Sequence, residues 1–221
     1  MVISPARREA TEALLDAAEA LLVELGYASI TTRNLAEKAG VNHGLVHYYF
    51  GSMEEVFLQT LERTTARLTE RQRAMYATEA PFVEKWRTAM RYLSEDLRSG
   101  YQKIWFELQA MAWNRPAMRA RIAVMLNSWL DVLRPAFSAG MEELGIDRRE
   151  LPVDAAVALV ATFNQGIMVE RLSGVDSGHE VLLATIDRWL SRRQKTARPR
   201  ARLKGKGKAE GVDLIVHAPK R

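Results

Sequence analysis

The stretch Val41 to Met53, VNHGLVHYYFGSM, gathers two of the chain's four histidines, two tyrosines and a glycine into what reads as one short helix. His43 and His47 stand four residues apart, the spacing at which two imidazoles on one helical face hold a zinc ion. A hydrolytic zinc helix also needs a glutamate directly after its first histidine and a third ligand close by. Asn42-His43-Gly44 offers neither, so no metal site is expected. Val46 and Phe50, one turn apart, take the buried face, which turns the pairs His43/His47 and Gly44/Tyr48 elsewhere. A glycine inside a helix costs about 1 kcal/mol relative to alanine, so Gly44 marks a place where another backbone comes close.

The rest of the chain narrows what that display is for. With no cysteine there is no disulfide framework, no thiolate nucleophile and no Cys-based zinc site. Neither a G-x-S-x-G elbow nor a phosphate loop appears. Gly205, Gly207 and Gly211 are spaced one residue too widely for a dinucleotide loop, and no strand precedes them. No cofactor is expected. No run approaches the 18 to 20 uninterrupted apolar residues of a membrane helix, and the N-terminus lacks the order of a secretory signal, so a soluble, cytoplasmic protein with no membrane partner is expected.

The net charge of +5 is unevenly spread. Residues 195–221 hold nine basic side chains (Lys195, Arg198, Arg200, Arg202, Lys204, Lys206, Lys208, Lys220 and Arg221) against Glu210 and Asp213, a surplus of seven that leaves residues 1–194 at −2. The low-complexity run ARPRARLKGKGKAEG is expected to be a disordered, basic tail.

Almost every segment carries the 3.6-residue period, which predicts an all-α body. Leu14, Leu15, Ala18, Leu21, Leu22 and Leu25 form the stripe of a first helix, with Gly26 as a left-handed cap. Thr31 caps a second helix by accepting from the Asn34 backbone, and Gly40 ends it. Asn42 is the expected N-cap of the third, and Ser52, followed by Glu54 and Glu55, opens a fourth that runs to about Tyr76. Segments near 82–99, 101–113, 116–144, 153–173 and 178–193 complete the body. Helix two, a four-residue turn and helix three have the spacing of a helix-turn-helix, whose second helix enters the DNA major groove.

The run ITTRNLAEKAGVNHGLVHYYFGSMEEVF, Ile30 to Phe57, resembles the signature of the TetR (tetracycline-repressor-like) family of bacterial regulators. It has a threonine before helix two, an Ala-Gly-Val turn, a glycine early in helix three, an aromatic run ending in phenylalanine and a serine opening helix four. The resemblance implies a three-helix DNA-binding domain over 1–52 and a six-helix effector-binding and dimerisation domain over 53–194. It implies phosphate contacts from Thr31, Thr32, Tyr48 and Tyr49, and a groove-facing set of Asn42, His43, Gly44, Leu45 and His47. Base edges carry sequence information and phosphates do not, so His43, Leu45 and His47 are the expected readers, with Arg33 the best-placed cation. Met53 departs from the pattern, standing where relatives usually keep a lysine.

In the larger domain Trp105, Phe106, Met111, Trp113, Met118, Trp129, Phe137, Phe163 and Met168 recur at helical spacing, as core or as pocket lining. An apolar effector pocket is expected from Trp105, Phe106, Trp113, Trp129, Phe163 and Met168, with Gln109, Asn127, Asn164 or Gln165 as orienting polar groups. Residues 153–193 form two amphipathic helices that, in relatives, pack against their copies as a four-helix dimer interface. The alternative for them is an intrachain hairpin. The reading that results is a homodimeric DNA-binding regulator, in all expectation a repressor, released from a palindromic operator by a small hydrophobic effector. Its rivals are a small helical enzyme and a helical adaptor without sequence-specific DNA binding.

Overall fold

The computed structural model describes residues 4–206, with side chains through residue 197. Among the described residues there are nine α-helices and no strand. Helix α1 spans Pro5–Leu25, a 3-10 turn Tyr27–Ser29, α2 Thr32–Ala39, α3 Gly44–Phe50 and α4 Met53–Tyr76. They are followed by α5 Phe82–Arg98, α6 Tyr101–Ala112, α7 Pro116–Glu143, α8 Val153–Leu172 and α9 His179–Lys206.

The caps read from sequence form in the fold, with two adjustments. Thr31 Oγ1 accepts from the Asn34 amide at 3.2 Å while Asn34 Oδ1 accepts from the Thr31 amide at 2.8 Å, a reciprocal box that fixes the start of α2. Gly40 closes α2 in the left-handed conformation, and Ser52 Oγ accepts from the Glu55 amide at 3.1 Å to open α4. Gly26 ends α1 with φ 73° but an extended ψ of 161°, so its cap is not the left-handed turn expected. Asn42 does not cap α3 at the expected place. Its Oδ1 accepts from the Gly44 amide two residues on, at 2.9 Å, a local turn that delays the helix to Gly44. Gly44 is therefore a first-turn residue, where glycine costs less than in mid-helix.

Two apolar cores form, and α7, with the end of α4, ties them together. The first joins α1, α2 and α3 (Leu14, Leu22, Leu35, Val46) to Val56 and Leu61 of α4, Ile104 and Leu108 of α6, and Met118 and Ile122 of α7. Met53 packs against this core, as its apolar side chain dictates. The second gathers Phe82 and Trp86 of α5, Leu133 and Phe137 of α7, Val157 of α8 and Leu190 of α9. Gly140 lets α7 reach it: a Cβ there would lie 2.1 Å from the Phe82 ring, which itself meets Phe137 edge-on at 5.3 Å.

The C-terminal helices bear on the expected tail and on the hairpin alternative. Helix α9 continues through residues 195–206, the first part of the run read as disordered; residues 207–221 lie outside the described residues. Arg, Lys and Ala are good helix formers, and here they extend an already nucleated helix. Helix α8 is long and apolar enough to cross a membrane by length and composition, with a mean hydropathy of 1.2 over its best window. Only 22% of that window is buried. It packs on α7 and α6, while α9 packs on α5, so the two helices do not consume each other's apolar faces as a simple hairpin would.

Candidate nucleic-acid interface and ligand cavity

Helix α3 is held from beneath by Val46 and Phe50, both buried, and from its C-terminus by Gly51, whose amide bonds the His47 carbonyl. That anchoring turns Asn42, His43, Gly44, His47 and Tyr48 to solvent, with Leu45 and Tyr49 half-buried. Tyr48 is 73% exposed, its large amphipathic ring tilted against that of Tyr49 at a centroid distance of 5.2 Å. His47 Nδ1 lies 3.3 Å from the Gly51 carbonyl, which steadies the ring and leaves Nε2 facing outward. At the head of α2, Thr31 and Arg33 are exposed and Thr32 is half-buried. The Thr31 hydroxyl spends a lone pair on its cap and keeps its proton to donate.

Gly44 contrasts with Gly140. A Cβ on Gly44 would meet only Asn42 Oδ1, at 3.4 Å, and its φ is not positive. Nothing in the packing of the described residues demands glycine here, so the demand points outward. Sequence reasoning passed over Arg7: its guanidinium sits 5.4 Å from the Tyr49 ring centroid, bringing a cation from α1 beside α3. A basic residue at the head of α1 was the available signal.

Helix α4 leaves this face and is clamped on both sides. Arg63 pairs with Glu12, Asp16 and Glu19 of α1, and Arg67 reaches Glu19 at 2.7 Å. From α7, Arg121 donates to both Glu62 oxygens at 2.7 and 2.8 Å and to Glu55, and Arg115 reaches Glu54 at 3.3 Å. The Arg121 hydrogen bond holds the Glu55 carboxyl below its ordinary range, despite partial burial.

Further along α4, Thr65, Leu68, Thr69, Gln72 and Tyr76 form one face at helical spacing and wall a cavity of about 110 Å³. The cavity lies at the seam of the two cores: Trp105 and Met125 belong to the first, Trp86 and Leu133 to the second. Of the residues expected there, Trp105, Phe106, Trp129, Asn164 and Met168 line it, as does Gln165. Four others do not. Trp113 caps the end of α6 at 67% exposure, Asn127 is exposed on α7, Gln109 is half-buried away from the lining, and Phe163 packs against the second core. The register of α6, α7 and α8 against one another decides which side of each helix meets the cavity, and local periodicity does not contain it.

The cavity's polar groups are few and mostly tied. Trp129 Nε1 donates to Gln72 Oε1 at 2.9 Å, and the Tyr101 hydroxyl and Thr65 Oγ1 are 2.9 Å apart. Burial pushes the Tyr101 and Tyr76 phenols far above their ordinary range, so both stay neutral. Asn164 Oδ1 is buried with no hydrogen-bond partner, a free acceptor. Asp96, on α5, was missed by the sequence reading. Its Oδ1 accepts from Arg71 at 2.6 Å, and burial raises its pKa even though Arg71 opposes the shift. The signal was present: Ala89, Leu93 and Asp96 follow the 3.6 period, placing an acid on an apolar stripe.

Residues 14–60 match the family model for bacterial regulatory proteins of the tetR family. The HTH-type transcriptional repressor AcnR of Corynebacterium glutamicum is 25% identical over 169 residues, 75% of this chain and 81% of that protein. Among solved structures, the transcriptional regulator FadR from Bacillus subtilis in complex with stearoyl-CoA superposes with a TM-score of 0.66 at 18% identity, covering 81% of this chain and 96% of that one. A regulator from Saccharomonospora viridis in complex with choline gives 0.67 at 19% identity, covering 84% and 95%. The Thr31 cap, the exposed α3 with its unexplained glycine, and the match over residues 14–60 converge: those residues form a DNA-binding domain similar to that of the tetR family of bacterial regulatory proteins, and the chain is a DNA-binding transcriptional regulator.

Proposed function

We propose that the chain is a homodimeric repressor that binds a palindromic operator and leaves it when a small, largely apolar molecule enters the cavity. The observation that carries this reading is helix α4, which starts one turn from the exposed α3 and ends as a wall of the cavity. In this reading residues 1–52 read DNA. Thr31, Thr32, Tyr48 and Tyr49 hold phosphates, and Asn42, His43, Gly44, Leu45 and His47 meet the groove, with Arg33 and Arg7 as flanking cations. Residues 53–194 bind the effector and the second copy.

Dimerisation is supported by the apolar surface on α8 and α9, where Leu159 is 66% and Val181 69% exposed and Val169, Leu172, Leu182 and Trp189 are also open. Patches of this kind on a regulator are best explained by burial against a partner. Two copies of α3 about one DNA turn apart, roughly 34 to 36 Å, match a two-fold operator.

Release follows from differential binding. The cavity of about 110 Å³ is well below the roughly 300 Å³ of a typical ligand site. A molecule that fills it must move α4 or its neighbours, and α4 carries α3 with it. Ligand and DNA then weaken each other by the same factor. The two solved neighbours hold chemically unlike molecules, stearoyl-CoA and choline, so the fold leaves the ligand class to this chain's own lining.

Residues 1–60 hold Arg7, Arg8, Arg33 and Lys38 against Glu9, Glu12, Asp16, Glu19, Glu24, Glu37, Glu54 and Glu55, a balance of −4. Affinity therefore leans on hydrogen bonding and helix N-termini, with the basic run after residue 194 adding to the counterion release from Arg7 and Arg33. The test is a gel-shift with DNA upstream of the chain's own gene. A specific complex that a cavity ligand dissolves is expected, and no specific complex would overturn the reading.

A further inference from the structure

The lining of the cavity has an unusual charge inventory. Among the described residues Asp96 is its only formally charged one; no Lys, Arg or His of that set lines it. Six aromatic side chains line the same cavity, Tyr76, Trp86, Tyr101, Trp105, Phe106 and Trp129. An anionic ligand would enter this space beside a like charge and with no cation to receive it, a costly arrangement at low dielectric. A cation would find the reverse: a carboxylate and several ring faces, the two groups that attract an ammonium most strongly when water is excluded.

Arg71 does not cancel the site. It approaches from α4 outside the lining, donates to Asp96 Oδ1 at 2.6 Å, reaches Glu95 at 3.4 Å, and lies 4.0 Å from the Tyr92 ring centroid. One guanidinium is thus shared by two carboxylates, and the trio keeps a net negative charge. Of the two acids, Asp96 is the one that reaches the cavity. The other carboxylate oxygen of Asp96 has no hydrogen-bond partner among the described residues, and the residue lines the cavity. Burial makes this carboxylate costly to keep ionised, so it gains from any positive charge that arrives.

We infer that the cavity selects a small organic cation, an ammonium group on an apolar body, whose charge rests between Asp96 and the surrounding rings. The inference rests on the reading of this cavity as the effector site and adds the class of effector. Asn164 Oδ1, buried and unpartnered in the same lining, offers the ligand an acceptor for an N–H or O–H.

The test uses the full chain and three probes of similar shape: benzyltrimethylammonium, its uncharged isostere 2,2-dimethylpropylbenzene, and phenylacetate. Trp86, Trp105 and Trp129 line the cavity, so quenching of tryptophan fluorescence reports occupancy. The cation is expected to bind at least about tenfold more tightly than the isostere, and phenylacetate more weakly than both. Asp96→Asn, checked for folding by circular dichroism, brings the cation and isostere to within about twofold. Gln102→Glu, which adds a carboxylate to the lining and leaves Arg71 its partner, widens the gap. Equal or tighter binding of the isostere or of phenylacetate to the unaltered chain overturns the cation inference and leaves the ligand cavity standing. Binding of none of the three overturns both.

Discussion

The two cores differ in how their outer surfaces are finished. The first, beneath α3, is sealed: its helices are clamped by ion pairs from Arg63, Arg67 and Arg121, and its exposed face is polar and aromatic. The second, under α8 and α9, leaves a row of aliphatic side chains in the open. A sealed core can present a surface to DNA as a rigid unit, whereas an unfinished one needs another protein surface to complete it. The cavity sits where the two meet, so a ligand there acts on their relative placement without unpacking either.

The sharpest way to break that contrast is to charge the unfinished side. Leu159→Arg combined with Val181→Arg should halve the mass seen by analytical ultracentrifugation and weaken operator binding about a hundredfold or more, because avidity is lost. An unchanged mass would mean that α8 and α9 serve some other surface.

The glycines of the two regions separate packing from recognition. Gly140→Ala drives a methyl into the Phe82 ring and should lower stability by about 1 to 3 kcal/mol in a thermal melt. Gly44→Ala should leave the melt unchanged or raise it slightly while weakening operator binding about tenfold. Equal effects of the two on stability would erase the distinction.

Arg121 probes the seam. Arg121→Gln frees α4 from α7, and should cut the reciprocal effect of ligand on DNA binding by about 0.5 to 2 kcal/mol while leaving ligand affinity in place. The same pair sets a pH dependence. Glu55 has its pKa lowered in the fold by Arg121, so its stabilisation is present above the unfolded value of 4.5 and is lost as pH falls through the depressed folded value. The stability difference between the native chain and Arg121→Gln should therefore close in acid, as urea titrations at several pH values would show.

The smallest effect belongs to the basic run. Replacing Arg198, Arg200, Arg202 and Lys204 by glutamine should flatten the salt dependence of operator binding and leave sequence preference intact, as anisotropy titrations across salt concentrations would measure.

What could be read from the chain divides along physical lines. Caps and helix order were legible because their signals are local: Thr31 finds Asn34 three residues on, and Ser52 finds Glu55 likewise. The start of α3 was misjudged because Asn42 satisfied itself in a tighter turn than a cap. The display on α3 was legible because Val46 and Phe50 fix its buried side. The cavity was half legible: aromatic content pointed to Trp105, Phe106 and Trp129, but Trp113 and Asn127 depend on helix rotations set by partners distant in sequence. Asp96 hid in Ser-Glu-Asp-Leu-Arg, a run that looks solvated, and its burial is decided by Arg71 on α4, 25 residues away.

The central claim is that two copies of α3, set by one dimer, read one two-fold site. Selection of bound sequences from a random DNA pool by the full chain tests it most directly. The account predicts an enriched palindrome whose half-site centres lie one helical turn or a whole multiple apart, about 10 base pairs per turn, and its loss with His47→Ala. An enriched site without two-fold symmetry, or no enriched site at all, would contradict it.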